Sequence, residues 1–164
     1  MADQPRCEAF GPSRLFADGK CARELPEGTV PRGAASDPLA VFDPKSDRLP
    51  VPVTAELLSR GRQRYEIYCS PCHDRVGTGR GMIVRRGYTR PPSLHEDRLR
   101  AAPVGHFVDV VTRGWGAMPA YPAQVPAADR WAIAAYIRAL QRSQHASLAD
   151  APADARDRLA AEAR

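Results

Sequence analysis

The chain has 164 residues, the length of one domain with an appendage. Hydrophobic residues are 43% and charged residues 26%, a globular balance, and no run of about 18 apolar residues exists that would cross a membrane. The net charge of +5 is carried by 22 Arg and 2 Lys, a bias that reads as codon composition, and four cysteines are too few for a disulfide-dense miniprotein.

Eight of the sixteen prolines fall in residues 1–52, so no helical periodicity survives there. Residues 1–50 read as an extended arm with turns at Asp18-Gly19 and Glu27-Gly28. The arm has seven basic and eight acidic residues, which excludes a basic nucleic-acid arm. Its apolar residues (Phe10, Leu15, Phe16, Val30, Leu39, Val41, Phe42) cannot build a core alone. They recur regularly enough to favour an arm lying along another surface over a disordered one.

Residues 51–145 read as a helical domain. Thr54 is a candidate N-cap for a first helix in which Gly61, Tyr65 and Tyr68 share one face. A small residue on that face lets another helix approach. A second helix spans about 103–113, opened by Pro103 and stopped by Gly114, with Phe107, Val110 and Val111 inward and Val104, Phe107 and Val111 at helical spacing. A third spans about 127–142, with Trp131, Ile133, Ala134, Ile137 and Leu140 as its apolar stripe. Residues 73–102 between the first two are rich in Gly, Arg and Pro, and no convincing strand is present. Residues 146–164 form an Ala-rich tail in which Pro152 can open a short helix. Three helices and long loops give about 95 residues a thin core, so something else must fill it.

The motif Cys69-Ser70-Pro71-Cys72-His73 says what. Cys-x-x-Cys-His is the attachment signature of haem c, and at this chain's Cys and His frequencies about 0.002 matches are expected by chance. Two thiols at i and i+3 can add to two vinyl groups on one side of the macrocycle, and the adjacent His becomes the proximal iron ligand. Two blander readings compete. A dithiol redox pair wants a βαβ context, and this chain has no strand pattern. Half a zinc site wants two further ligands, for which only His95, His106 and His145 remain. The iron's sixth position has four candidate ligands, Met82, Met118, His95 and His106, or none. A Met is ordinarily core filler. Met118, however, lies between Gly114-Trp115-Gly116 and Pro119, a loop before the last helix that can drape over the distal face. Met82 stands only nine residues past His73.

These residues resemble class I cytochrome c over 54–142: Gly61-x-x-x-Tyr65 before the haem motif, Pro92-Ser93-Leu94, the Met118-Pro119 loop, and a terminal helix with Trp131 and Tyr136. The resemblance implies an all-α fold of three to four helices around one covalently bound haem c. It implies His73 and Met118 as axial ligands and a first and last helix crossing near Gly61 and Tyr136. It also implies a Pro92 carbonyl that accepts a hydrogen bond from the His73 ring. A narrower set resembles the small monohaem cytochrome subunit of bacterial alternative complex III, a quinol oxidoreductase. That set is Asp3-Gln4-Pro5-Arg6, Phe16-x-Asp18-Gly19, Gly28-Thr29-Val30, Arg32-Gly33, Gly61-x-x-x-Tyr65-x-x-Tyr68-Cys69-Ser70-Pro71-Cys72-His73, Gly79-Arg80-Gly81-Met82-Ile83-Val84 and Asp129-Arg130-Trp131-Ala132-Ile133. The resemblance implies a place on the periplasmic side of the bacterial inner membrane, among the other subunits of a membrane redox complex.

Two features depart from that family. Its acylated cysteine would precede this numbering, and Gln4-Pro5-Arg6 before Cys7 is no lipobox. No signal peptide is legible at Met1–Arg6 either, so the expectation is a processed, truncated or mis-started chain. Cys7 and Cys21 stand where the family has other residues. In an oxidising compartment they can close the arm as a disulfide, with free thiols or a lipidated Cys7 as the other readings.

The expected function is single-electron transfer, with a soluble periplasmic shuttle and a peroxidase-like or gas-binding haem protein as alternatives. A purely structural subunit is a third reading. Tyr65, Phe107, Trp115 and Trp131 are expected to keep the pocket dry. Arg80, Arg85, Arg86 and Arg90 are propionate candidates, or simply a solvated face. Residues 51–145 hold fourteen basic and seven acidic residues, which favours an acidic protein as electron donor or acceptor. No aromatic–basic module suggests nucleic acid.

Overall fold

The structure, a computed structural model, describes residues 6–8, 11–23, 26, 28–29 and 37–162. The helices are α1 (Ala55–Tyr68), α2 (Ser70–His73), α3 (Asp97–Ala101), α4 (Val104–Arg113), α5 (Ala127–Gln144) and α6 (Ala153–Glu162), with 3-10 turns at Val84–Arg86 and Leu148–Asp150. Among the described residues β-structure is limited to two isolated bridges, Pro12 with Lys20 and Trp115 with Met118. The all-α expectation therefore holds. The short helix α3 is an addition, because its five residues offer too little periodicity to read.

The chain divides into two units, at Ser36 rather than near residue 50. The reason is packing. Leu39, Phe42 and Leu49 are partly buried against the helical core. Trp131, only 2% exposed, donates its indole N–H to the Leu39 carbonyl at 3.0 Å and meets Phe42 edge-on at 6.0 Å. Gly105, whose N–H donates to the Ser46 carbonyl, brings the first turn of α4 against Asp43 and Pro44.

The first unit is small. A Cys7–Cys21 disulfide, with Cα atoms 5.4 Å apart, closes a loop turned at Asp18-Gly19, where the Gly19 N–H donates to the Phe16 carbonyl. Arg23 lies 3.9 Å over the Phe16 ring and pairs with Asp18 at 2.7 Å. The arm features expected at Asp3, Gln4, Pro5, Phe10, Glu27, Val30, Arg32 and Gly33 lie outside the described residues.

In the second unit α1 and α5 cross face to face. Thr54 caps α1 by accepting from the Leu57 N–H at 3.1 Å. At the crossing a Cβ on Gly61 would stand 2.9 Å from Tyr136 Cβ and inside the Ala132 carbonyl, so only glycine lets the axes come this close. Tyr65 and Tyr136 then meet with ring centroids 5.4 Å apart. Asp129, almost fully buried on α5, accepts from Arg60 at 2.7 Å and pairs with Arg64 at 3.2 Å, which fixes the register of the crossing. Helix α4 packs on α5 through Val104, Phe107, Val108 and Val111. Val108 is wholly buried where Val110 was expected to point inward; Val110 is only half-buried. Helix α5 runs two residues past its expected end, and Pro152 precedes α6 as the sequence suggests.

Candidate haem-binding site

The motif begins where α1 ends. The Cys69 N–H still donates to the Tyr65 carbonyl at 2.9 Å, and Ser70 Oγ donates back to the Glu66 carbonyl at 2.7 Å. Pro71 has no N–H to continue α1, so the chain re-forms one tighter turn, with the His73 N–H on the Cys69 carbonyl at 2.8 Å. Cys69, Cys72 and His73 thus share a single turn on the end of a packed helix.

Burial pushes the Cys69 thiol up to about 12 and raises Cys72 as well, so neither is an activated thiolate. The thiols are free. A dithiol nucleophile requires a lowered thiol pKa, and this site does the opposite. The zinc reading also loses its partners. His95 bonds the Val76 carbonyl at 2.6 Å and stacks on His145, while His106 packs against Trp115. Among the described residues no three His, Cys, Asp or Glu side chains converge on a point.

The arrangement does fit haem c. Burial lowers the pKa of His73, against a weaker upward pull from Asp74, so the ring is held neutral, the form an iron takes. Its Nδ1 is buried with no hydrogen-bond partner. Cys69 and Cys72 would carry the thioether bonds and His73 would ligate the iron.

The expected bond from the His73 ring to the Pro92 carbonyl is absent, and Pro92 is exposed. The segment is docked by its neighbours instead. The Leu94 N–H donates to the Gly77 carbonyl at 2.8 Å, and the Pro91 carbonyl faces Gly79.

Met118 sits half-buried in a tight loop in which Trp115 and Met118 exchange backbone hydrogen bonds at 3.0 and 2.9 Å. Three residues on, the Tyr121 N–H returns to the Val111 carbonyl on α4. Burial raises the Tyr121 hydroxyl, with smaller upward contributions from the Cys72 and Cys69 thiols. Met82 has a different setting. The Gly81 and Ile83 N–H groups donate to the Cys72 and Pro71 carbonyls, so the backbone around Met82 lies along the motif itself, with its side chain 50% exposed.

Of the four aromatics expected to shield the pocket, Tyr65, Phe107 and Trp131 are buried, whereas Trp115 is 72% exposed at the tip of the Met118 loop. Glycines flank it, and its ring meets His106 edge-on at 6.3 Å. Arg80, Arg85, Arg86 and Arg90 are all exposed; Arg90 donates to the Thr78 carbonyl and Arg85 to the Arg80 carbonyl. A surface depression lined by Ala55, Glu56, Ser59, Arg60 and Gln63 lies at the far end of α1, about 15 Å along the axis from the motif, and has no part in it.

The residue that sequence reasoning passed over is Asp74. It has φ 58° and ψ 175°, a conformation that costs a side-chain-bearing residue about 1–3 kcal/mol. Its carboxylate accepts from the N–H groups of Val76 (2.8 Å), Thr78 (3.1 Å) and Arg80 (2.9 Å) and from the Thr78 hydroxyl. Hydrogen bonds to a charged acceptor contribute about 1.5–3 kcal/mol each, so several of them, even discounted for partial exposure, offset the strain. Burial alone would raise this carboxyl, but the same bonds outweigh it and hold the group below its ordinary range. The only signal in the sequence was an Asx-type turn residue after the His, followed by Gly77 and Gly79.

A search of the curated proteins found no match. The family model described as cytochrome C oxidase, cbb3-type, subunit III matches residues 56–137, half of the chain, from the first turn of α1 through most of α5. The chain therefore belongs to that family, and its helical unit is a c-type cytochrome domain of the kind that carries covalent haem c and transfers electrons.

Proposed function

We propose that the chain is a monohaem electron carrier working on the periplasmic side of the bacterial inner membrane, as the small cytochrome subunit of a quinol-oxidising complex. Cys69 and Cys72 hold the haem, His73 and Met118 are its axial ligands, and the haem when bound supplies a one-electron Fe(III)/Fe(II) couple. The observation that carries this reading is the motif turn: two half-buried cysteines and a neutral His73 with an unpartnered Nδ1, fixed to the end of α1. The Met118 assignment is supported by its half-buried place in a glycine-flanked loop between α4 and α5. The quinol-complex assignment rests on the motif set that runs from the arm to Asp129–Ile133.

The partner surface follows from charge. Arg75, Arg80, Arg85, Arg86 and Arg90 are exposed on the loop after the motif, together with Val76, Met82 and Tyr88. Such a surface recruits an acidic redox protein and offers it apolar contact. No nucleic acid is among the partners proposed; contact with the membrane runs through neighbouring subunits or a lipid anchor.

A second reading has its own support. The matched family is described as a subunit of a cytochrome c oxidase, so the chain can serve an oxidase complex instead.

Optical spectroscopy of the haem-loaded chain tests the site. The Met-to-ferric-iron charge-transfer band is expected in the wild type, lost in Met118→Ala and kept in Met82→Ala. A high-spin wild type that binds CO readily would overturn the carrier reading in favour of gas-binding or peroxidase chemistry. Affinity capture from solubilised membranes separates the complexes. Reduction of the haem by quinol without oxygen is expected of the first, and oxygen-consuming oxidation of cytochrome c of the second.

A further inference from the structure

The turn that follows the proximal ligand is over-built for a loop. Asp74 is the one non-glycine residue with positive φ among the described residues. Its carboxylate gathers three backbone N–H groups and one hydroxyl from the next six residues. Its carbonyl is held too: the Tyr65 hydroxyl, from the buried face of α1, donates to it at 2.9 Å. The Gly79 N–H then returns to the His73 carbonyl at 3.0 Å. Asp74 is therefore pinned on both sides: the Tyr65 hydroxyl holds the 74–75 peptide from the core, and the Gly79 N–H holds the 73–74 peptide from the loop. A strained residue persists only where its surroundings over-determine it, and here it directly follows His73.

We propose that Asp74 is the positioning residue of the haem's proximal ligand: it sets the direction in which His73 leaves α2 and places a fixed negative charge beside the imidazole. This rests on the reading of His73 as proximal ligand. Two consequences follow. Loss of the carboxylate's bonds frees the backbone after residue 73 to relax, which loosens the imidazole orientation. Loss of the charge disfavours the ferric state relative to the ferrous one, because the oxidised iron carries one more positive charge. Orientation of an axial ligand and the polarity around it are both levers on a haem's potential.

The test uses the full haem-loaded chain with Asp74→Asn and Asp74→Ala. Asn has nearly the shape of Asp and keeps one acceptor oxygen for the backbone N–H groups, so Asp74→Asn is expected to fold, stay low-spin and show a raised reduction potential. Asp74→Ala loses every side-chain bond and keeps the strain. It is expected to shift the His73 ring resonances in the paramagnetic NMR spectrum more than Asp74→Asn does, and to be the less stable of the two. If the potential of Asp74→Asn equals that of the wild type and its His73 resonances do not move, the proposal is overturned. If the wild type itself carries haem whose ligand is not His73, shown by ring resonances that survive His73→Ala, the reading of the site fails first, whatever the Asp74 variants do.

Discussion

The segment after His73 and the loop carrying Met118 are built by opposite means. Residues 74–81 are hydrogen-bonded inward at nearly every step: to the Asp74 carboxylate, to the His73 and Cys72 carbonyls, and through Gly77 to Leu94. Residues 114–121 are tied at their two ends, by Gly114 and Tyr121 to α4 and by Gln124 and Val125 to the Tyr121 carbonyl, and in between hold only the two-way bridge between Trp115 and Met118, with Trp115 largely exposed. The difference fits the two tasks. On the proposed reading, the side that carries Cys69, Cys72 and His73 has to hold its ligand in one place. The other side needs to close on a group already attached, and a glycine-flanked loop does that with less prior order.

The comparison breaks most plainly at the anchor. Cys69→Ala combined with Cys72→Ala is expected to abolish covalent haem, read as complete loss of haem stain on a denaturing gel, whereas Met118→Ala keeps the stain at wild-type level. Equal loss in both would mean that the Met118 loop is needed for attachment too.

A smaller test uses two glycines. A Cβ at Gly81 would stand 2.6 Å from the Cys72 carbonyl carbon and closer still to the Pro71 oxygen, so Gly81→Ala must move backbone. Its expected cost is about 2–3 kcal/mol in urea unfolding, with reduced haem incorporation. Gly116 has φ 58° with open space around it, so Gly116→Ala meets only conformational strain, about 1–2 kcal/mol, and incorporation is expected to be unchanged. Equal incorporation defects would erase the distinction between the two segments.

The smallest effect sharpens how the proximal side is tied to the core. Tyr65→Phe removes the bond to the Asp74 carbonyl, for about 1 kcal/mol in urea unfolding at neutral pH. Burial raises the Tyr65 hydroxyl well above its ordinary value, with smaller upward contributions from Cys69, Asp74 and Tyr136. A raised pKa in the folded state means that this stability is present below about pH 10 and is lost as pH rises beyond it. The wild type is therefore expected to lose stability above about pH 10 more steeply than Tyr65→Phe; parallel profiles would show that the hydroxyl is not held as described.

Much of the molecule was legible from its residues. Thr54, Gly61, Pro103 and Gly114 mark helix ends and a helix crossing through local chemistry that acts within a turn or two, and the structure places each as expected. Cys69, Cys72 and His73 share a turn because their spacing is itself helical. The errors all involve contacts distant in the chain. Residues 37–49 read as arm because prolines forbid a helix there, but Leu39 and Phe42 belong to the core through Trp131, some 90 residues away. Trp115 read as a buried pocket residue, yet it is 72% exposed and meets only the His106 ring among the aromatic pairs of the described residues. Pro92 read as a partner of His73, but Gly77 and Gly79 dock its neighbours first.

By itself, then, the sequence determined an all-α chain, a Cys-x-x-Cys-His turn and the type of cofactor that turn accepts. These follow from periodicity, caps and spacing, which act over three or four residues. The tertiary structure decided where the helical unit begins, which residues pin His73 and which loop lies along the motif. Those depend on which surfaces meet, as with the Tyr65 hydroxyl reaching Asp74 across the end of α1. The spacing of the residues does not encode such meetings, because burial and hydrogen-bond partners are set by the whole packing.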